Sequence, residues 1–325
     1  MTVWKIFVTG GSGFIGSAVV AELVNRGIEL VNFDSKPPLR PEHIDLWRRG
    51  DLADVADMVV AMREFGANAV IHLAARADIS SKNWSDFASI HKGTENLLEA
   101  IDAYGGIERV ANVSTQLVIG PGYEPRSLLD FRPYTIYGEA KAYAEAALLQ
   151  WDSPVHWFTV RPANIWGPDH PFGREAIWKY INSGAYMHPT GAPVYRTYGY
   201  VDNTADQIIQ LLMTSPERTG RRVFYVSDHV FDSGKWAEAF SLALIGRPPR
   251  RVPVLLFKAL GKGGDIARRV GLPSPIDSGR VLRLTQSYGV PLEPTLDLTG
   301  TPRVSFEEGV ERTVAWLRST GAPYN

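Results

Sequence analysis

Thr9-Gly10-Gly11-Ser12-Gly13-Phe14-Ile15-Gly16 follows a short apolar run, Ile6 to Val8, and opens a segment of helical apolar periodicity. That order is strand, glycine turn, helix. A helix N-terminus presents unpaired N–H groups and the positive end of its dipole, so a turn without side chains lets a pyrophosphate approach closely. In that reading Gly10 permits the tight turn, Gly13 the close approach and Gly16 the packing of helix on strand. The spacing is G-x-x-G-x-x-G rather than the commoner G-x-G-x-x-G. A dinucleotide site is the leading reading, with a plain strand-to-helix connection as the alternative.

A chain of 325 residues can bury a large core. Helical and strand patterns alternate through its first half, which predicts a parallel sheet with helices on both faces. A net charge of −1 with interspersed signs leaves no electrostatic footprint for nucleic acid or an anionic membrane, so a small-molecule substrate is expected. Cysteine is absent, which removes disulfides, thiolate metal sites and thiol nucleophiles. The run Ile6 to Val8 ends at once in glycines, too short for a signal peptide, and no stretch approaches the roughly 18 apolar residues of a membrane span. The expectation is a soluble cytoplasmic protein. Its histidines are scattered, His72 and His91 coming closest to a metal spacing on different elements, and no metal is assigned.

Val3 to Thr9 reads as the first strand, and the following helix carries Ala18, Val19, Leu23 and Val24 on its buried face up to Gly27. A second strand, Glu29 to Phe33, ends in Asp34, where an acid would accept hydrogen bonds from the adenosine ribose. A carboxylate there would repel a 2′-phosphate, which favours NAD over NADP. Gly50-Asp51-Leu52 ends a third strand. A helix over Ala53 to Phe65 closes at Gly66, and Ala69 to Ala75 is the fourth strand. The small residues at its end suit either a cofactor or plain packing. Trp84 to Tyr104 has helical spacing, and Arg109 to Thr115 is a fifth strand.

Tyr137-Gly-Glu-Ala-Lys141 lies in an alanine-rich helix running to about Trp151. A spacing of four puts Tyr137 and Lys141 on one face, one turn apart. A phenol with a pKa of ~10 is a poor base at neutral pH, but a neighbouring ammonium would lower it by ~1 to 3 units, making the pair a candidate general acid/base. By itself, Y-x-x-x-K also fits an ordinary surface pair.

Taken together, the glycine turn, Asp34, Asp51-Leu52, the Leu-Ala-Ala strand end, Ser114-Thr115, Tyr137/Lys141 and Arg161-Pro-Ala-Asn-Ile-Trp-Gly-Pro168 occur in one order. The chain resembles the extended short-chain dehydrogenase/reductase family, in its NAD-dependent epimerase/dehydratase branch. The resemblance covers residues 3 to about 203 and returns over about Pro302 to Leu317, where Pro-Arg-Val-Ser-Phe-Glu-Glu-Gly309 looks like the family's closing helix. It implies an α/β fold, a Rossmann-type doubly wound parallel sheet with a smaller C-terminal substrate-binding lobe. The NAD-binding domain would span 1–165, with further core elements from about 195–230, and the lobe mainly 166–325.

The resemblance assigns NAD contacts to Gly10, Gly13, Phe14, Ile15, Gly16, Asp34, Ser35, Asp51, Leu52, Leu73, Ala74, Ala75, Tyr137, Lys141 and Pro162. It makes Thr115, with Ser114 as fallback, the hydroxyl that bonds the reacting oxygen. Tyr137 becomes the acid or base, and Lys141 the residue that binds the nicotinamide ribose and holds down the phenol's pKa. Relatives that also eliminate water carry an acidic pair after that hydroxyl. Here Gln116 and Leu117 stand there, which disfavours a 4,6-dehydratase. Ile90 replaces the Asn of the family's N-x-x-G-T motif.

Asn164 and Arg196 fall where sugar-nucleotide enzymes of the family grip the substrate's diphosphate, a task suited to a guanidinium. A structural Asn and a surface Arg are the alternatives, and a second such arginine has no match between Arg280 and Pro302. Val252-Pro-Val-Leu-Leu-Phe-Lys-Ala-Leu260 and Pro302-Arg-Val-Ser-Phe look closer to 3β-hydroxysteroid-dehydrogenase-like relatives. That apolar run is read as a core helix of the lobe rather than a membrane dock. The leading expectation is an NAD-dependent nucleotide-sugar epimerase or keto-sugar reductase acting by reversible hydride transfer at a sugar hydroxyl carbon. A dehydrogenase of a non-nucleotide alcohol or ketone is second, and a non-catalytic NAD-sensing protein third. The resemblance also implies a homodimer built on the helices of residues 84–104 and 137–151.

Overall fold

The computed structural model describes residues 3–77, 79, 81–171, 177–272, 274 and 276–319. The chain begins β1 (Lys5–Thr9), α1 (Phe14–Asn25), β2 (Glu29–Asp34), β3 (Trp47–Arg49), α2 (Val55–Phe65) and β4 (Ala69–His72). It continues α3 (Ala88–Tyr104), β5 (Arg109–Val113), α4 (Ile136–Gln150), β6 (His156–Pro162), β7 (Ile165–Trp166), α5 (Ile177–Asn182) and β8 (Met187–Thr190). Then come β9 (Tyr195–Tyr200), α6 (Val201–Met213), α7 (Pro216–Thr219), β10 (Val223–Val226), β11 (His229–Asp232), α8 (Ser233–Ile245) and β12 (Arg250–Pro253). The last elements are α9 (Val254–Arg269), α10 (Ser278–Thr285), α11 (Glu293–Thr299) and α12 (Phe306–Ser319). Two compact units result. The first comprises Met1–Ile165, Gly199–Asp228 and Pro291–Arg303; the second comprises Trp166–Tyr198, His229–Val290 and Val304–Asn325.

In the first unit seven parallel strands lie in the order β10-β6-β5-β4-β1-β2-β3. This is the Rossmann-type sheet the alternating pattern predicts. Period-two alternation sends Ile6 and Val8 of β1 into one core layer with Val19, Leu23, Ile208 and Leu212 of α1 and α6. Phe7 points the other way, with Met62, Leu97 and Trp157. Neighbouring strands repeat the pattern: Ile71, Ala111 and Val160 join the first layer, Val70, Val110 and Trp157 the second. Burial on both faces explains why these strands read as nearly continuous apolar runs. β1 pairs with β2 on one side and β4 on the other, so the strand order reverses at β1 and β4, the switch point at whose C-terminal ends doubly wound sheets bind ligands. The segment Pro291–Arg303 belongs to this unit through Thr295, whose hydroxyl donates to the Tyr225 carbonyl (2.7 Å), and Arg303, which pairs with Asp206.

Three local expectations are corrected. On α1 it is Val20 that is buried, while Val24 is 43 % exposed. The fourth strand ends at His72, and Leu73 to Ala75 continue as non-repetitive chain tied to β1 by the Leu73 N–H donating to the Thr9 carbonyl (2.9 Å). The run Val252 to Leu260 is not a core helix: of its leucines, Leu255, Leu256 and Leu260 are all exposed, and within α9 only Phe257, Gly261 and Gly264 are buried. The cause is the two glycines. A Cβ on Gly261 would stand 2.6 Å from Val281, and one on Gly264 1.8 Å from the Ile276 carbonyl, so α9 seats its small face inward.

The second unit is organised around aromatic residues. Trp166, Trp178, Trp236 and Phe240 meet edge-on or tilted at centroid distances of 4.5 to 6.2 Å, and Trp236 stacks on Tyr198 at 5.3 Å. There β11 pairs antiparallel with β9, Phe231 opposite Arg196.

Candidate active site

The glycine turn is built by close contact. Gly10 has φ +75°, and a Cβ on it would lie 2.4 Å from the Ala74 nitrogen. A Cβ on Gly16 would lie 2.1 Å from the Gly10 carbonyl oxygen, so Gly16 packs α1 on the turn itself. At Gly13, by contrast, an added Cβ would meet only the Gly10 carbonyl, at 3.3 Å. Gly13 is the N-cap of α1 and supplies no side-chain cap, which leaves the first turn of the helix, Phe14 to Gly16, to be met by an anion. Asp34, at the end of β2, faces this turn: its carboxylate accepts from the N–H groups of Ser12 (3.1 Å) and Lys36 (3.0 Å). Ser35 beside it is exposed. The backbone of Leu73 and Ala74 lies directly against Gly10, and Ala75 follows it. Asp51 is exposed and Leu52 buried, with Gly93 of α3 packed on the Leu52 side chain.

Thr135 starts α4 by accepting from the Gly138 N–H (3.0 Å), which sets the helix phase that buries Tyr137 and Lys141 together. Thr115 follows β5, accepts from the Leu117 N–H (3.2 Å), and stands near enough to Tyr137 to act on its hydroxyl electrostatically. The neighbouring Ser114 hydroxyl has no hydrogen-bond partner among the described residues. Lys141 donates from Nζ to the Val113 carbonyl at 2.7 Å. The electrostatics depart from the expected lowering of the phenol. Burial pushes Tyr137 up to about 12, against the opposing influence of Thr115, and burial brings Lys141 down to about 8, against the upward pull of Glu145. Desolvation dominates, so Tyr137 is a neutral phenol at neutral pH.

Ile90 packs with Phe87, Tyr137, Ala140 and Ala144, so the position where the family has Asn is here an apolar wall against the Tyr137 ring. His72 bridges Thr9 Oγ1 (2.7 Å, to Nδ1) and Thr94 Oγ1 (3.0 Å, to Nε2). Burial and then the Lys141 charge push it down to about 3, which keeps the ring neutral. Pro162, at the end of β6, is buried, and Asn164 just beyond has φ +45° with its carbonyl accepting from the Gly199 N–H (3.4 Å). Arg196 belongs to the second unit, where its Nη2 donates to the Gln286 carbonyl at 3.4 Å.

With this arrangement in place, residues 6–226 match the NAD dependent epimerase/dehydratase family. The chain belongs to that family. It is therefore an enzyme of a family of NAD-dependent oxidoreductases and epimerases. Among similar proteins is the 2-alkyl-3-oxoalkanoate reductase of Shewanella oneidensis, 26 % identical over 96 % of this chain and 86 % of that protein. The 3 beta-hydroxysteroid dehydrogenase/Delta 5-->4-isomerase of Mycobacterium tuberculosis is 33 % identical over 50 % of this chain and 47 % of its own. Among solved structures, a Thermus thermophilus UDP-glucose 4-epimerase in complex with NAD superposes with a TM-score of 0.68 at 25 % identity, covering 98 % of this chain and 99 % of that one.

Two features of this family member escaped the sequence reading. Glu145 and Arg161 form a buried ion pair beneath the Tyr137/Lys141 face, and Asp228 is a buried carboxylate. Glu145 was findable as the next step of the Tyr137, Lys141 spacing on one helical face. Asp228 carried no such signal. It accepts the Tyr200 N–H on Oδ2 (2.7 Å), its Oδ1 has no hydrogen-bond partner among the described residues, and burial pushes it up to about 7.

Proposed function

We propose that this chain interconverts a secondary alcohol and a ketone on a nucleotide sugar, as an epimerase or keto-sugar reductase. The observation that supports the chemistry is that Tyr137, Thr115 and Lys141 are all buried, with Lys141 one helical turn from Tyr137 on α4. The fit to a dinucleotide rests on the glycine cradle, where Gly10 and Gly16 are closed to any Cβ and Gly13 is open, and on Asp34 at the end of β2. Gly13, Phe14, Ile15 and Gly16 would hold the pyrophosphate; Asp34 and Ser35 the adenosine ribose. Asp51 and Leu52 would border the adenine side, and Leu73 to Ala75, Lys141 and Pro162 the remaining length. Bound NAD supplies the hydride acceptor and donor. Tyr137 delivers a proton to the carbonyl oxygen during reduction and takes it back during oxidation, while Thr115 donates to that same oxygen. A phenol held protonated by burial suits the donor role, and the Lys141 ammonium supports the phenolate that remains.

The substrate class rests on Arg196 of β9, a guanidinium six residues before Asp202, at the position where the resemblance implies a diphosphate contact. A second reading, an apolar hydroxy or keto compound, is supported by the end-to-end match to the oxoalkanoate reductase and by the missing second arginine. A thermal-shift panel of UDP-, GDP-, CDP- and dTDP-sugars against steroids and simple ketones separates them, since a ligand at ~100 times its Kd adds roughly 2.7 kcal/mol. Stabilisation by a nucleotide sugar that is lost in Arg196→Ala supports the first reading. Stabilisation by ketones alone replaces it with the second.

A further inference from the structure

Helix α9 carries a surface that the proposed reaction does not use. Its inward face is Phe257, Gly261 and Gly264, seated against Ile276 to Val281 so tightly that neither glycine accommodates a Cβ. At 100° per residue this phase turns Leu255, Leu256, Ala259, Leu260, Ile266 and Val270 into one outward arc. The arc is exposed: Leu255 is 78 % accessible, Leu256 52 %, Ile266 61 % and Val270 68 %, and Leu272 just beyond the helix is 60 % accessible. Apolar residues at this exposure, contiguous along a 16-residue helix, exceed the isolated surface leucines normal for a globular protein.

One edge of the arc is cationic. Lys258, Lys262 and Arg269 follow one another along it and are all exposed. The helix's single acid, Asp265, is engaged at its inner side by the Ser278 N–H at the start of α10 (3.1 Å), and Arg268 pairs there with Asp277 (2.6 Å). An apolar stripe with a cationic border is complementary to a bilayer surface, where leucines enter the acyl boundary and ammonium groups meet anionic headgroups. No helix among the described residues is long and apolar enough to cross a membrane, which fits a helix lying in the interface plane.

From this geometry we infer that α9 is a peripheral docking helix for anionic lipid bilayers. The inference is independent of which substrate class is correct. It replaces the expectation, drawn from net charge, that the protein ignores membranes: a net charge of −1 hides a local cationic edge.

The test is co-sedimentation of the full chain with vesicles of phosphatidylglycerol in phosphatidylcholine, against phosphatidylcholine alone, with melting in the presence of NAD as the check on folding. The expected result is partition onto the anionic vesicles at least ~tenfold above the neutral ones, weakening as salt rises. Leu255→Asp/Ile266→Asp and, separately, Lys258→Glu/Lys262→Glu each lower that partition by ~tenfold or more while the NAD-dependent melting shift is kept. No partition onto anionic vesicles, or partition unchanged in either double variant, overturns the inference. So does a dimer in light scattering that Leu255→Asp/Ile266→Asp dissociates in a protein that ignores vesicles, since the face would then be a self-association surface.

Discussion

Glu145 and Arg161 face each other as a bidentate pair inside the first unit, Nε to Oε1 at 3.0 Å and Nη2 to Oε2 at 2.7 Å, with side chains 2 % and 4 % exposed. The pair ties α4, which carries Tyr137 and Lys141, to β6, and Arg161 Nη1 also donates to the Tyr225 hydroxyl on β10 (3.2 Å). Removing one member strands a buried charge. Arg161→Met should therefore cost roughly 3 to 5 kcal/mol in urea unfolding, while Glu145→Leu/Arg161→Met together should cost less than the single change. A single variant within about 1 kcal/mol of the parent would show that the pair is not the clamp described.

Asp34 is the residue we propose sets cofactor preference. Its carboxylate, held by the N–H groups of Ser12 and Lys36, opposes a 2′-phosphate at the end of β2. Calorimetry should give tighter binding of NAD than of NADP, and Asp34→Ser should narrow the difference by ~tenfold or more. Tighter binding of NADP by the parent protein would contradict this role.

Asp228 makes stability pH-dependent. Its pKa rises from 3.8 unfolded to about 7 folded, so between those values the folded state binds more protons and unfolding free energy falls as pH rises. The penalty is complete above pH ~7 and amounts to up to about 4 kcal/mol. His72 acts oppositely: its folded pKa of about 3 lies below the unfolded 6.5, so stability grows with pH across that interval. The difference between parent and Asp228→Asn isolates the carboxylate. Urea unfolding at pH 4.5 and pH 8 should show the variant gaining relative to the parent at the higher pH, and a gain independent of pH would refute the assignment.

What the sequence revealed and what it hid divide along a physical line. The glycine turn, the alternation of Ile6, Phe7 and Val8, and the four-residue step from Tyr137 to Lys141 are local signals, and the fold follows from them. Burial is not local. Lys141 is buried one turn along the helix from Tyr137, as the spacing promised, yet burial raises the phenol's pKa. Arg161 meets Glu145 only because β6 passes under α4, and the leucines of α9 face outward because Gly261 and Gly264 fit against a segment more than ten residues further on.

The claim at the centre of the account is that Tyr137 moves the proton. Tyr137→Phe removes one hydroxyl and leaves the ring against Ile90, Phe87 and Ala140, so folding and NAD binding should be retained. With the substrate identified by the thermal-shift panel, turnover measured alongside NAD affinity should fall by ~10² to 10⁴-fold while the affinity stays within about threefold of the parent. Full turnover in Tyr137→Phe, with NAD bound as before, would contradict the mechanism whatever the substrate.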